Sequence, residues 1–226
     1  MSAAALRSTP RACVTGLPDE NLPRVATVCL GRYVDPLSAG KGSNMPISEE
    51  RVVLVDERDR RTDTMDKTLA HHRGVLHRAI SVIVYNGNGE LLLQRRAHGK
   101  YHSPSLWSNT CCGHPRPGER VRFAAERRLQ EEIGMVCMLE KRCTLRYRAE
   151  VPPNLIENEL VHIFFGRRDT VPVPDPREVD SWRWVSVDDL RRDVMENGSH
   201  YTAWFKIYLD ELSELLQAVL PTTAKG

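Results

Sequence analysis

With 226 residues, 41% of them hydrophobic, the chain is long enough to bury one substantial core, and one main domain is expected. A formal charge of only +2 excludes the basic excess of a dedicated nucleic-acid binder, so an anionic ligand has to be caught locally. Apolar runs such as ISVIVY (80–85) fall far short of the ~20 residues that span a bilayer, and six cysteines in a chain of ordinary apolar content point to a reduced, cytoplasmic protein rather than one stapled by disulfides.

In chain order, residues 1–45 scatter Pro, Gly and Ser without periodicity and read as disordered or as an upstream extension, with no apolar h-region of a secretory signal. MPISEERVVLVDERD then opens into a strand pattern, so the compact unit is expected over residues 46–226. Short apolar runs bounded by turn residues predict strands at 51–56, 79–85 and 91–96, the last two joined by NGNG (86–89) as a hairpin, because Asn and Gly accept the positive φ such turns need. Further strands are predicted at 143–151, 159–168 and 181–187. Two segments switch period. Residues 119–134 space Val121, Ala125, Leu129 and Ile133 four apart, a single apolar helical stripe that Gly134 stops. Residues 203–220 repeat Phe205, Tyr208, Leu209, Leu212, Leu215, Leu216 and Val219 in the same way, which predicts one helix. Strands interleaved with few helices give an α/β class, an α+β sandwich.

The chemistry concentrates around NTCCGHPRPGE (109–119) and the helix after it. From Gly113 the order is five residues to Glu119, seven more to Arg127, then Arg128, Leu129, Gln130, Glu131, Glu132, Ile133, Gly134 and Met135. Carboxylates at one loop and one helix end suit Mg2+ or Mn2+, hard cations that bridge diphosphate oxygens. The competing reading is a solvated helix laced by Arg127/Glu131 and Arg128/Glu132 pairs. The pattern resembles the Nudix box over its whole span, with Arg128 standing where the box has glutamate. An arginine there repels metals and suits a phosphate, so the helix is expected to bind a diphosphate without cleaving it. Elsewhere, alternation along an extended chain points Glu157 and Glu159 to one face. With His71, His77 and His114 they would offer three imidazoles and two carboxylates, a set suited to Mn2+, Mg2+ or Zn2+. His98, His102, His162 and His200 are read as ordinary surface or hydrogen-bonded histidines.

Together the segments K-x-x-x-H before LHRAISV, RRA, WSNTCCGHP, the altered box, YRAE followed by IENE, and TAWF resemble the metal-dependent isopentenyl-diphosphate Δ-isomerases, from about Arg51 to about Phe205. That resemblance implies a Nudix-like mixed β-sheet core flanked by helices. It implies Cys112 as catalytic thiol, Glu159 as second catalytic group, and Tyr147 and Trp204 as active-site aromatics. It also implies metal ligation by His71, His77, His114, Glu132, Glu157 and Glu159, and diphosphate contacts from Lys67, Arg96, Lys100 and Arg128. The cofactors implied are Mg2+ with the diphosphate and Mn2+, Mg2+ or Zn2+ at the His/Glu set. The partner is a small diphosphate, with no nucleic acid and no membrane span, and the protein acts as a monomer or homodimer. His71 is preferred over adjacent His72 because Lys67 lies four residues before it, and Ser105 stands where the family commonly has glycine. Trp204 reads either as a π face for a carbocation or as a core side chain. The alternative activity is a Nudix hydrolase of a diphosphate-containing metabolite.

Overall fold

The computed structural model describes residues 50–220; the expected boundary near Met45 and the extension before it lie outside them. The first hairpin is β1 (Arg51–Val55) and β2 (Arg61–Asp66), followed by the short helix α1 (Lys67–Arg73). β3 (His77–Tyr85) is the axis of the sheet. One of its edges is occupied throughout by β8 (Leu155–Arg167), parallel and in register from His77↔Glu159 to Tyr85↔Arg167. Its other edge is shared by β1 at the start, β6 (Cys111–Gly113) in the middle and β4 (Leu91–Arg96) at the end. β7 (Leu139–Val151) continues the sheet beyond β8, while β5 (Trp107–Ser108) and β9 (Val179–Val185) pair with β4.

NGNG does turn the chain, with Gly89 at φ 76, but β3 and β4 share only the pair Tyr85↔Leu91 before they separate. The cause is Thr110, whose side chain stands between them. Its Oγ1 accepts from Val84 N and donates to Leu92 O, both at 2.8 Å, and so takes bonds a plain hairpin would make between strands.

Alternation along β3 builds two cores. Ile80, Val82 and Val84 pack on α2 (Val121–Ile133) through Ala125, Leu129 and Ile133, whereas Ala79 and Ile83 face Trp204, Phe205, Tyr208 and Leu209. The sheet is therefore sandwiched between α2 and the C-terminal helices, the α/β sandwich expected from the sequence. α2 ends at Gly134, whose φ of 68 forms the left-handed stop. α3 (Val187–Asn197), capped by Ser186, sets Val187, Leu190 and Val194 against the core and was not among the expected elements. The single helix predicted over 203–220 is instead two, α4 (Ala203–Glu211) and α5 (Ser213–Val219). Leu212 leaves helical geometry between them at φ −101, ψ 14, yet the bonds Leu212 N to Tyr208 O and Leu216 N to Leu212 O persist, so this is a bend that keeps Leu212 and Leu216 in the core. No helix among the described residues is long and apolar enough to cross a membrane.

Candidate active site

α1 carries the first imidazole inward. Asp66 caps its start by accepting from Leu69 N at 2.8 Å, Gly74 ends it at φ 59, and this single short helix buries His71 completely while leaving His72 exposed. His71 Nδ1 donates to Lys67 O at 2.7 Å and His77 Nδ1 to Val75 O at 2.8 Å. Both rings therefore turn a bare Nε2 into the site. His77 Nε2 lies 3.2 Å from His114 Nε2 and 3.6 Å from Glu159 Oε1, and His114 Nε2 lies 3.0 Å from the same oxygen. His71 Nε2 is buried and has no hydrogen-bond partner. Donor atoms of His71, His77, His114 and Glu159 all fall within 4.8 Å of one another. Imidazole lone pairs converging on a carboxylate, one of them otherwise orphaned, fit a divalent cation.

The other expected ligands stand differently. Glu157 falls in a second, overlapping group with His71 and His102. His102, read from the sequence as an ordinary histidine, is 4% exposed, with Nε2 3.4 Å from Glu157 Oε1 and its ring against Trp204 and Tyr101. It sits on the irregular loop between β4 and β5, where no periodicity marks a buried position; its only signal was nearness to Lys100. Glu132 is not drawn to the imidazoles. It is held by Arg128 and by Gln94 Nε2 at 2.9 Å. Likewise Glu119 is gripped by both arms of Arg127, and Glu131 by Arg127 and Arg128, so each box carboxylate is engaged by an arginine. Both i,i+4 pairs anticipated on this helix form.

All expected site residues except His71 and His77 line one cavity of about 510 Å³. Lys67, Arg96, Lys100 and Arg128 supply positive charge around it. Lys67 is paired with Glu50, and Lys100 and Arg128 share Glu178, with Arg128 at 3.4 Å. Arg96 is buried and donates to the carbonyls of His102 and Ser103, fixing the loop in which Ser103 and Ser105 adopt φ 48 and 61. Ser105 thus takes the left-handed conformation that glycine adopts freely. The Arg96 guanidinium also lies 5.2 Å from the centre of the Trp204 ring, whose Nε1 donates to Ser108 Oγ at 2.9 Å.

Cys112 and Glu159 reach this cavity from strands on opposite edges of β3, opposite Ser81 and His77 respectively. Burial pushes the Cys112 thiol up to about 12, against its hydrogen bonds with Asn109 and Ser81. Tyr147 Oη lies 2.8 Å from Glu157 Oε2 and 2.6 Å from Glu159 Oε2. One phenol has one proton to donate, so between two carboxylates it can serve only one as donor. The other must donate to it. Burial and the charge of Glu159 push Glu157 up to about 8. Burial also penalises the charge of Glu159, but the hydrogen bond from His114 and the His77 ring beside it outweigh that cost and hold that carboxyl well below its ordinary range. Glu157 is therefore the protonated member and Glu159 the charged one.

Residues 75–205 match the NUDIX domain. An isopentenyl-diphosphate Δ-isomerase of Pectobacterium atrosepticum is 48% identical over 174 residues, covering 77% of this chain and 96% of its own. One of Burkholderia multivorans is 49% identical over 162 residues, covering 72% and 92%. Among solved structures, DR0079 from Deinococcus radiodurans superposes with TM-score 0.58 at 18% identity over 75% of this chain and 98% of its own, which shows the shared fold. The altered box, the thiol strand and the His/Glu cluster thus lie in a chain that belongs to the isopentenyl-diphosphate Δ-isomerase family of the NUDIX superfamily.

Proposed function

We propose that the protein interconverts isopentenyl diphosphate and dimethylallyl diphosphate by protonation and deprotonation through a tertiary carbocation, supplying isoprenoid synthesis. One observation carries the reading. A single cavity combines a cationic rim with a half-buried thiol and a phenol-linked carboxyl pair that enter from opposite edges of one strand.

An unactivated alkene is a very weak base, so the site has to supply a strong acid, tolerate a tertiary cation and keep water away. Lys67, Arg96, Lys100 and Arg128 hold the diphosphate and so fix the hydrocarbon end in the cavity. Glu159, linked through Tyr147 to the proton on Glu157, serves the terminal carbon. Cys112 exchanges the proton on the allylic carbon. The thiol gives its proton to that carbon in the reverse direction, and the thiolate so formed takes one back in the forward direction, when the C–H bonding pair becomes the new double bond and the cation is quenched. Trp204 already accepts a guanidinium near its ring, and the same π cloud stabilises the carbocation by about 1–2 kcal/mol. His71, His77, His114, Glu157 and Glu159 would hold Mn2+, Mg2+ or Zn2+, and Glu132 would hold Mg2+, supplying Lewis acidity and charge neutralisation. The reactive thiol calls for a reducing, cytoplasmic setting, and Cys111, Cys112 and Cys137 are free.

Incubation of purified protein with isopentenyl diphosphate and Mg2+ is expected to yield the acid-labile allylic product without phosphate release, and Cys112→Ala and Glu159→Gln are each expected to abolish it. Phosphate release in its place would establish the hydrolase alternative and reject the isomerase.

A further inference from the structure

The sulfur of Cys112 sits against a hydrogen-bond network that the reaction scheme above does not use. Asn109 Oδ1 lies 3.3 Å from Sγ, and Ser81 Oγ lies 3.6 Å from it. The orientation of the Asn109 amide is dictated by its surroundings. Its Nδ2 is 3.0 Å from both Val82 O and Cys111 O, two backbone carbonyls that only an N–H can satisfy, and its two N–H groups are shared with Ser81 Oγ at 2.9 Å. Oδ1 therefore has to face the sulfur, where it can only accept. A second donor, Ser108 Oγ at 3.1 Å, completes the surroundings of Oδ1, and Ser108 in turn accepts from Trp204 Nε1. Ser81, Ser108 and Asn109 are at most 1% exposed, so water does not substitute for any of these partners.

Ser81 has the complementary role. Its oxygen already accepts from Asn109, and the sulfur is within reach of its hydroxyl proton. Sγ is thus flanked by one fixed acceptor and one donor.

We propose that Asn109 and Ser81 form a two-sided seat for the Cys112 sulfur, with Asn109 as a positioning residue that directs the thiol proton and Ser81 as the donor that steadies the sulfur once the proton has left. This deepens the assignment of Cys112 as the proton-exchanging thiol and rests on it. When Sγ takes the allylic proton, the new S–H points at Oδ1. When it gives the proton back, sulfur keeps the bonding pair and its charge faces the Ser81 hydroxyl. The amide cannot flip between these states, because flipping would set an oxygen against two carbonyls. The same network ties the thiol to Trp204 through Ser108, so both sides of the hydrocarbon site share one scaffold.

The test is infrared spectroscopy of the S–H stretch, with the Cys112 band defined as the one missing from Cys112→Ala. In the unsubstituted protein the band is expected at the lowered frequency of a donated thiol, and in Asn109→Ala it is expected to move to the free-thiol position. In Asn109→Ala kcat for isopentenyl diphosphate is expected to fall on the order of 10²-fold with KM within about threefold, since the diphosphate cations are untouched and a misdirected proton costs that much. Ser81→Ala is expected to lower kcat about tenfold and leave the band in place. A free-thiol frequency in the unsubstituted protein overturns the seat even if Asn109→Ala does not fold, and so does full kcat in a folded Asn109→Ala. Turnover by Cys112→Ala would instead overturn the assignment of the thiol, a different failure that the infrared bands do not depend on.

Discussion

Arg128 shows how one side chain separates a diphosphate-binding helix from a diphosphate-cleaving one. Its guanidinium joins Glu131 at 2.7 Å, Glu132, and Glu178 at 3.4 Å, and Glu132 is only 3% exposed. A buried carboxylate that loses its partner costs about 3–5 kcal/mol, so Arg128→Glu, which restores the box residue, should lower Tm markedly. It should also raise KM for isopentenyl diphosphate about tenfold or more, since a hydrogen bond to a charged group contributes ~1.5–3 kcal/mol. Phosphate release should not appear, because the missing glutamate alone does not free Glu119 or Glu131 from Arg127. A steady-state assay with both products monitored decides this. His102 invites a parallel experiment. His102→Phe keeps the ring packed on Trp204 and Tyr101 but deletes the nitrogen facing Glu157 Oε1. Groups that orient metal ligands typically govern affinity by 10–100-fold, so Mn2+ affinity of the chelator-stripped protein should fall by at least about tenfold in calorimetric titration. Unchanged affinity would leave His102 a packing residue.

At the scale of elements, α2 matters for what it holds as well as for what it carries. Gly134 lies at φ 68, and a Cβ there would come 2.3 Å from Val173 O. Val173 N and Asp175 N bond to the carbonyls of Ile133 and Glu132, and Glu178 N bonds to Asp175 O, so the chain strapped across the end of α2 delivers Glu178 to Lys100 and Arg128. Gly134→Ala should therefore destabilise the fold by ~1–3 kcal/mol and raise KM through Glu178, to be read from denaturant melts and kinetics on one preparation. Much of this element was legible beforehand, because its four-residue stripe and terminal glycine are local signals. So was the pairing of Glu157 with Glu159 on one face of β8, which follows from strand alternation. What the sequence concealed depends on distant partners. α1 has no apolar stripe and is defined by its two caps. β6 exists because Ser81 and its neighbours on β3 receive it. The parting of β3 from β4 depends on Thr110, and the bend at Leu212 has no Pro or Gly to announce it. His102 was missed for the same reason, since its loop is shaped by Arg96 donating to its carbonyls.

For the whole molecule, residues 46–226 are proposed as the functional unit, so a chain starting at residue 46 should keep the Tm and kcat/KM of the full protein, whereas one starting at residue 52 loses Glu50 from Lys67 and Arg51 from Thr64 and should show a higher KM. A larger property follows from burying so many imidazoles. Burial pushes His71 down to about 3, His102 to about 2, His114 to about 4 and His162, on the opposite face of β8 beside Asp59, to about 4. In the unfolded chain each titrates near 6.5. Between those values the unfolded state binds more protons, so the stability these four contribute is complete above about pH 6.5 and drains away as pH falls towards 4. Glu157 acts in the opposite sense. Raised from 4.5 to about 8, it contributes fully below its unfolded value and loses that contribution as pH climbs to 8. Four groups against one make stability rise with pH up to about 6.5, after which the single carboxyl makes it decline. The chelator-treated protein should accordingly show a Tm maximum near pH 6.5 with the steeper flank on the acid side. His162→Phe should shallow that flank while leaving Mn2+ affinity unchanged, since His162 stands apart from the cavity. A Tm that is flat or rises on acidification from about pH 6.5 to about pH 5 would show that these imidazoles are not held neutral in the folded protein.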